Sequence, residues 1–250
     1  MTQDSPHPRN SVDRGALYPR DRDWHPAAYT PGYKTSVTRA PSRPLVALGS
    51  TLSEETGPAF GQNAIGDLDN NLILNFTGQP AIGERIILHG RVVDENGRGI
   101  PNVLVEIWQA NAGGRYRHKK DGYLAPLDPN FAGCGRCLTA WDGSYEFLTV
   151  RPGAYPWPND VNSWRPMHVH FSVFGTGFGQ RLITQCYFQG DPLIDLCPIV
   201  KTIGQRKAIE SLVAPLDMNR AIPMDCLAYQ FDIVLRGRRQ SVFENRMEGM

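Results

Sequence analysis

The chain has 250 residues, a formal net charge of +1 and 41% hydrophobic residues. A charge this close to zero gives no electrostatic indication of a nucleic-acid or acidic-membrane partner. No apolar run approaches the roughly 18 residues of a membrane-spanning helix, and the N-terminus MTQDSPHPRN lacks the apolar core of a signal peptide. We therefore expect a cytoplasmic protein that binds neither nucleic acid nor membranes.

Residues 1–80 are rich in proline, arginine and asparagine and show little hydrophobic periodicity. A structureless stretch of this length is unusual inside a compact domain. Its aromatic residues and its apolar runs LVAL and NLILNF nevertheless argue against disorder. We predict an extended N-terminal arm that packs on the core and on a partner subunit. The aromatic residues of this arm include Tyr18, Trp24, Tyr29 and Tyr33.

Residues 81–250 have the pattern of a β-rich domain. Strand-like runs flank the turn dipeptides Asn96-Gly97 and Asp142-Gly143, and apolar residues alternate over residues 103–108. One helix is predicted at residues 202–213, where apolar residues recur at helical spacing. The whole pattern predicts a mainly β fold: an antiparallel β-sandwich with long functional loops, the N-terminal arm and one short helix.

A long loop at residues 112–135, AGGRYRHKKDGYLAPLDPNFAGCG, is too long to be only a connection, so we expect it to be functional. Cys134 at the end of this loop and Cys137 just after it form a CxxC pair, but no second CxxC and no βαβ pattern accompany it. The five cysteines are an odd number in a chain without an export signal. We therefore predict free thiols in a reducing compartment, with this pair buried or in a loop.

The segment YPWPNDVNSWRPMHVH, residues 155–170, ends in two histidines separated by one residue. In a strand, His168 and His170 would share a face, close enough to bind one metal ion. The alternative is that both rings lie on a solvated strand face. The residues between Tyr155 and His168 include three prolines, two asparagines and two tryptophans, which indicates a stiff, shaped loop.

No carboxylate accompanies the histidine pair, since position 175 is glycine. An Fe(II) site with two histidines and one carboxylate therefore has no local carboxylate candidate. A tyrosinate ligand is the remaining option for this segment, and a hard anionic oxygen favours Fe(III).

Several long motifs in this chain resemble the intradiol ring-cleaving dioxygenases: VEIWQANAGGRYRHKKD, YLAPLDPNF, AYPWPND, WRPMHVHF and LITQCYFQGDPL. The resemblance extends from about Tyr18 to Asn245, and such long motifs are far more specific than an isolated HxH. In that family two tyrosinates and two histidines hold a non-haem Fe(III). The resemblance implies that the ligands here are Tyr116, Tyr155, His168 and His170.

The resemblance also implies a reaction, which is Fe(III)-dependent cleavage of protocatechuate by dioxygen to 3-carboxy-cis,cis-muconate in the β-ketoadipate pathway. Tyr155 is implied to leave the metal when the substrate binds. Arg165 could stabilise negative charge on the substrate, or it could be a surface arginine paired with Asp160. The pocket residues implied to contact the substrate are Tyr33, Trp157, Arg165 and Gln185.

The resemblance is to the iron-bearing one of two homologous subunits. It implies that this chain forms αβ pairs with a homologous α subunit inside a larger oligomer, and that it acts on a small aromatic substrate and O2. Three alternatives remain: a noncatalytic structural subunit, an intradiol dioxygenase for another catechol, and a zinc or Fe(II) enzyme. Noncatalytic subunits of the family lack the tyrosine and histidine ligands, so the presence of all four favours an enzyme.

Overall fold

The computed structural model describes residues 24–27, 29–39, 65–175, 181–237 and 239–242. The predictions for Tyr18, for the run LVAL and for most of the N-terminal arm lie outside these residues. Within the described ranges the helices are short: α1 (Lys34–Arg39), α2 (Arg206–Glu210) and two 3-10 turns, Ile194–Leu196 and Val200–Thr202. No helix in the described ranges has the length and apolar character needed to cross a membrane.

The strands of the described residues form two large sheets and a two-stranded ribbon. The first sheet contains β1 (Arg85–Val93), β4 (Ser144–Val150), β10 (Leu227–Gln230) and β11 (Ile233–Val234). The second runs in the order β3 (Cys134–Leu138), β2 (Leu104–Gln109), β7 (His168–Phe174), β8 (Arg181–Phe188) and β9 (Val213–Ala214). The ribbon pairs β5 (Tyr155–Pro156) with β6 (Trp164–Arg165). The predicted mainly β sandwich is confirmed, although β10, β11 and β9 pair in parallel with their neighbours.

The two sheets meet in an apolar core to which β7 contributes one complete face. Val169, Phe171 and Val173 of this strand are fully buried, as the alternation in the sequence predicts. The Phe171 ring lies 5.8 Å from the ring of Tyr145 on β4, so the sheets are in direct contact. Each large apolar side chain buried in this way stabilises the fold by about 1.5–3 kcal/mol.

The two predicted turns form, but each carries the chain from one sheet to the other. Gly97 and Gly143 adopt φ values of 78° and 83°, a conformation that favours glycine. The first turn lies between β1 and β2 and the second between β3 and β4, and each pair is divided between the two sheets. A Cβ at Gly143 would lie 2.8 Å from the Cα of Gly99, so the two crossings pack closely together.

The helix predicted at residues 202–213 is shorter in the structure, where α2 covers only Arg206–Glu210. Strand pairing replaces the helix at its C-terminal end. The backbone N–H of Tyr187 donates to the carbonyl of Leu212 at 2.7 Å, and Val213 begins β9 beside β8. The described residues also contain α1, a second helix in a segment for which the sequence predicted extended chain.

Parts of residues 24–80 lie against the sandwich. The indole N–H of Trp24 donates to the carbonyl of Gln240 at 3.1 Å, and Tyr33 is buried. Leu72 is completely buried in the core, and its backbone N–H donates to the carbonyl of Leu148. The described residues from 65 onward therefore already contribute to the core before the sequence boundary at residue 80.

All five cysteines are free thiols. Cys134 and Cys137 lie at positions 1 and 4 of β3, so the prediction that this pair is buried or in a loop is wrong. Cys134 is exposed and Cys137 is half-buried, and burial raises the pKa of Cys137 to about 12. A thiol with a raised pKa is a poor nucleophile at neutral pH, which does not favour redox chemistry at this position.

Candidate metal centre

The histidine pair lies on the face of β7 that points away from the sandwich core. The rings of His168 and His170 are 4.8 Å apart and meet edge to face. The Nδ1–H of His168 donates to the carbonyl of Pro166 at 2.6 Å, which leaves Nε2 with its lone pair. Burial lowers the pKa of His168 well below its ordinary value, with a further contribution from the nearby charge of Arg165. Both effects favour the neutral imidazole that binds metals.

This histidine face is mostly covered, in contrast to the solvated face considered from the sequence, although His170 is half-buried. His168 and Ser172 are each only 1% exposed. The His170 ring stacks on the indole of Trp108 from β2, with ring centres 4.8 Å apart and an interplanar angle of 4°. Trp108 and Gln185 are the register partners of His170 on the two neighbouring strands. The orientation of His170 is therefore fixed by its strand and by the stacked ring.

Tyr116 comes from the predicted functional loop between β2 and β3. Its hydroxyl lies 3.5 Å from Nε2 of His168. The Asp121 carboxylate accepts the backbone N–H of Tyr116 at 2.8 Å and that of Tyr123 at 2.9 Å. At the start of the loop, the Asn111 side chain accepts the N–H groups of residues 113 and 115 and donates to the carbonyl of residue 126. Side-chain hydrogen bonds thus hold this loop in shape.

Tyr155 reaches the same point from the opposite side. It lies on β5 of the short ribbon, where it pairs with Arg165 of β6. Its hydroxyl is 3.4 Å from Nε2 of His168, and its ring meets the ring of Tyr116 edge to face at 5.5 Å. The four side chains that the resemblance implies as ligands therefore converge on one small region, although they come from three separate parts of the chain.

The donor atoms in this region suit a hard trivalent metal ion. Two phenol groups and two imidazole rings converge there, and anionic phenolates would favour Fe(III) over Fe(II). Within the described ranges, no group of three or more His, Cys, Asp or Glu residues could hold a metal ion. The two tyrosines are therefore the candidates to complete a metal site built around this histidine pair.

Arg165 is an interior residue, only 4% exposed, and not a surface arginine. Its guanidinium donates to the side-chain oxygen of Gln185, and the hydroxyl of Tyr187 donates to the same oxygen at 3.1 Å. Gln185 is 3% exposed and lies behind the metal region, outside the residues that line the neighbouring pocket. The guanidinium also lies over the Trp157 ring, 5.8 Å from its centre.

A pocket of about 890 Å³ opens beside the four converging side chains. Tyr116, Tyr155 and His170 form part of its wall, and Trp108 and Trp157 contribute apolar surface. Its titratable side chains also include His118, Lys120, Asp121 and Asp160. The pocket therefore brings three of the four predicted metal ligands, aromatic rings and charged groups to one opening, while His168 lies outside its lining.

Tyr33 does not line this pocket directly. It is 8% exposed, and its ring lies 5.4 Å from the Trp157 ring, so it stands behind the pocket wall. Sequence reasoning missed Trp108, Asn111 and Asp121, which orient predicted ligands. The residues around Asn111 read Asn-Ala-Gly-Gly, a turn signal that could have identified its local bonds. The contact of Trp108 with His170 depends on strand register, which the sequence does not reveal.

Comparisons with known proteins show the family to which this chain belongs. A family model described as "Dioxygenase" matches residues 55–237. A second, described as "Protocatechuate 3,4-dioxygenase beta subunit N terminal", matches residues 18–51. The chain belongs to the intradiol ring-cleavage dioxygenases and is an enzyme of that family.

Within this family the chain is similar to the protocatechuate 3,4-dioxygenase beta chain of Burkholderia cepacia. The two are 49% identical over 230 residues, which cover 91% of this chain and 97% of that one. The alpha chain from Pseudomonas putida is 32% identical over 208 residues, or 80% of this chain and 98% of its own length. The hydroxyquinol 1,2-dioxygenase structure from Pseudomonas putida DLL-E4 covers 84% of this chain and 71% of its own, with TM-score 0.53 and 22% identity. That structural likeness supports the fold alone.

Proposed function

We propose that this chain catalyses the Fe(III)-dependent intradiol cleavage of protocatechuate by dioxygen to 3-carboxy-cis,cis-muconate, in the β-ketoadipate pathway of aromatic catabolism. The convergence of two tyrosines and two histidines beside an open pocket carries this proposal. The similarity to a protocatechuate 3,4-dioxygenase beta chain supports the substrate.

The ligands that would hold the iron are Tyr116, Tyr155, His168 and His170. An unperturbed tyrosine has a pKa near 10, so its ionisation at pH 7 costs about 4 kcal/mol. A trivalent cation beside the phenol offsets that cost, because it favours the phenolate. When bound, the iron would act as a Lewis acid that binds the deprotonated catechol and makes it reactive toward dioxygen.

Two protons must leave a catechol before both of its oxygens can bind a metal ion. The Tyr155 phenolate is the protein group that accepts one of them at its Oη, and a hydroxide displaced from the metal site by the substrate would accept the other. Its place on the two-residue strand β5, in the pocket wall, supports this role, because it reaches the substrate space directly. Tyr116 is the phenolate that would remain on the metal, since its backbone N–H donates a hydrogen bond to the Asp121 carboxylate.

Arg165 stabilises the negative charge that develops on the substrate as the ring is attacked. Its burial supports this role, because a charge in a water-poor site acts more strongly than one in solvent. Its hydrogen bond to Gln185 fixes the direction of the guanidinium. We therefore assign to Gln185 the role of orienting Arg165, and Trp157, whose ring the Arg165 guanidinium lies over, is part of the pocket wall.

The pocket composition supports an aromatic substrate that carries an acid group. The Trp108 and Trp157 rings offer flat apolar surface to a benzene ring. Lys120 lines the same pocket and supplies a cationic nitrogen for a carboxylate. Tyr33 contributes from behind Trp157.

We further propose that the chain works as the iron-bearing partner of a homologous α chain, in αβ pairs of a larger oligomer. The similarity to both a beta chain and an alpha chain supports this pairing. Leu124 and Val161 line the pocket and are almost fully exposed, which supports an apolar partner surface at its mouth. Residues 1–80 would form an arm between the core and that partner.

Oxygen uptake tests the proposed function. The chain is purified with an α-chain homologue and assayed with protocatechuate, catechol and hydroxyquinol, and the product is identified by mass spectrometry. Protocatechuate is expected to be the preferred substrate, with both atoms of labelled dioxygen in the muconate. Preference for another catechol would contradict the proposed substrate, and the absence of uptake with all three would contradict the proposed activity.

A further inference from the structure

Asn159 joins the N-terminal segment to the loop that carries the metal-site residues. It is 5% exposed, and both ends of its side-chain amide are bonded to residues far away in sequence. Its Oδ1 accepts the backbone N–H of Lys34 at 2.9 Å, and its Nδ2 donates to the carbonyl of Gly32 at 3.1 Å. Lys34 is the first residue of α1, so Asn159 accepts one of the amide hydrogens that a helix start leaves unpaired.

The segment held by Asn159 is also stabilised by hydrogen bonds of its own. The hydroxyl of Ser36 donates to the carbonyl of Thr30 at 2.6 Å and accepts the backbone N–H of the same residue at 2.9 Å. Ser36 is 1% exposed, and Tyr33 lies between the two bonded residues. The segment around Tyr33, residues 30–36, is therefore held in one conformation by its own hydrogen bonds.

The segment around Tyr33 contacts the residues proposed for catalysis through aromatic rings. The Tyr33 ring lies 5.4 Å from the Trp157 ring, and the backbone N–H of Asn159 donates to the carbonyl of Trp157 at 2.8 Å. The Arg165 guanidinium also lies over the Trp157 ring, and the backbone of Arg165 pairs with that of Tyr155 in the β5–β6 ribbon. Trp157 is thus held at its ring by Tyr33 and at its backbone by Asn159.

We propose that Asn159 is a positioning residue for catalysis, which uses the segment around Tyr33 to fix Trp157 and, through Trp157, Arg165. The N-terminal segment would then contribute to turnover as well as to packing. This inference rests on the proposed function, because the role of Arg165 is assigned there. Small displacements of a charge-stabilising group lower the rate steeply, so loss of these bonds should affect turnover more than iron binding.

The first test compares Asn159→Ala with Asn219→Ala in the iron-loaded enzyme. Asn219 is exposed and does not line the pocket. Asn159→Ala should lower kcat by about 10- to 100-fold, while iron content and tyrosinate absorption stay as in the unchanged enzyme. Asn219→Ala should leave kcat within about 2-fold. Equal kcat values for the two variants would overturn the inference.

The second test asks whether Asn159 acts through Arg165. In an Arg165→Ala background the additional loss from Asn159→Ala should shrink to less than about 3-fold, because coupled residues are not additive. A loss that multiplies in full would overturn the inference. If Asn159→Ala does not fold, Asn159→Asp replaces it, since it retains the acceptor for Lys34 and loses the donor to Gly32.

Hydrogen exchange gives a readout that does not depend on activity. The Lys34 amide should exchange faster in Asn159→Ala than in the unchanged protein or in Asn219→Ala, and unchanged exchange would contradict the bond on which the inference depends. If the unchanged enzyme is active and the Asn159 variants are equally active, the inference alone fails. If the unchanged enzyme cleaves no catechol, the proposed function fails first, and the role of Asn159 in catalysis fails with it.

Discussion

The histidines and the tyrosines of the candidate metal centre are held by different kinds of structure. His168 and His170 lie on β7, whose backbone is hydrogen-bonded along its length to β2 on one side and β8 on the other. Tyr116 lies in a loop, and Tyr155 on a strand of two residues. The strand fixes the histidines through many backbone bonds, whereas the Asp121 side chain holds Tyr116 and a ribbon of only two residue pairs holds Tyr155. The tyrosine half of the site should therefore be the easier half to loosen.

Removal of a strand ligand should have the largest effect. His170→Ala should abolish both iron binding and turnover, while the sandwich stays folded because β7 keeps its backbone bonds. Ser172→Ala is the matched control, since Ser172 is the next residue on the same buried face of β7. Metal analysis and oxygen uptake give the comparison. Full iron occupancy and turnover in the His170 variant would show that the ligand assignment is wrong.

Removal of Arg165 should leave both halves of the metal site intact and still slow the reaction. Arg165→Ala should lower turnover by about 10²- to 10³-fold, the usual cost of losing one charge-stabilising donor. Iron content should remain close to that of the unchanged enzyme, because Arg165 is not among the four ligands. Arg165→Lys, which keeps the charge but loses the planar fork, should recover only part of the rate. Near-normal turnover in the alanine variant would exclude a catalytic role.

Loss of the hydrogen bond that holds the Tyr116 loop tests directly whether the tyrosine half of the metal site is easily loosened. In Asp121→Ala the backbone N–H of Tyr116 loses its acceptor, and iron affinity should fall by about 10-fold, which corresponds to a charged hydrogen bond worth about 1.5 kcal/mol. Excess iron should then restore most of the activity. Asp142→Ala is the control, because Asp142 accepts a backbone N–H in a turn between the sheets. Equal iron affinity in the two variants would contradict a loop held by Asp121.

Replacement of Lys120, which we propose to contact the substrate carboxylate, should have the smallest effect. Lys120→Met should lower kcat/KM for protocatechuate by a few-fold and leave catechol unaffected, because only protocatechuate carries a carboxylate and exposed charge pairs are worth up to about 1 kcal/mol. Lys119→Met has the same change of net charge, and Lys119 does not line the pocket. If both variants change protocatechuate cleavage equally, Lys120 has no specific contact with the acid group.

The difference between the histidines and the tyrosines also explains how much of the site the sequence could predict. Val169, Phe171 and Val173 alternate with the histidines, so local periodicity was enough to predict the strand and the shared face of His168 and His170. No comparable pattern joins Tyr116 to Tyr155, which are far apart in sequence, and only the family resemblance brought them together.

Other features could not be predicted, because they depend on packing between distant segments. The C-terminal end of the helix predicted at residues 202–213 is instead the strand β9. It pairs with β8, and sequence periodicity does not reveal such a partner. The stacking of Trp108 on His170 follows from the register of β2 against β7. The contacts of Asn159 with the segment around Lys34 span 125 positions in the chain, a separation that no local pattern encodes.

The visible spectrum and iron content of the pure protein test the proposed metal site most directly. Two tyrosinates on Fe(III) should give about one tightly bound iron per chain and a broad red-brown absorption, which should change when protocatechuate is added without oxygen. Both tyrosines should contribute, so Tyr116→Phe and Tyr155→Phe should each weaken the band. A colourless protein that stays fully active after iron chelation would contradict the site assigned to Tyr116, Tyr155, His168 and His170.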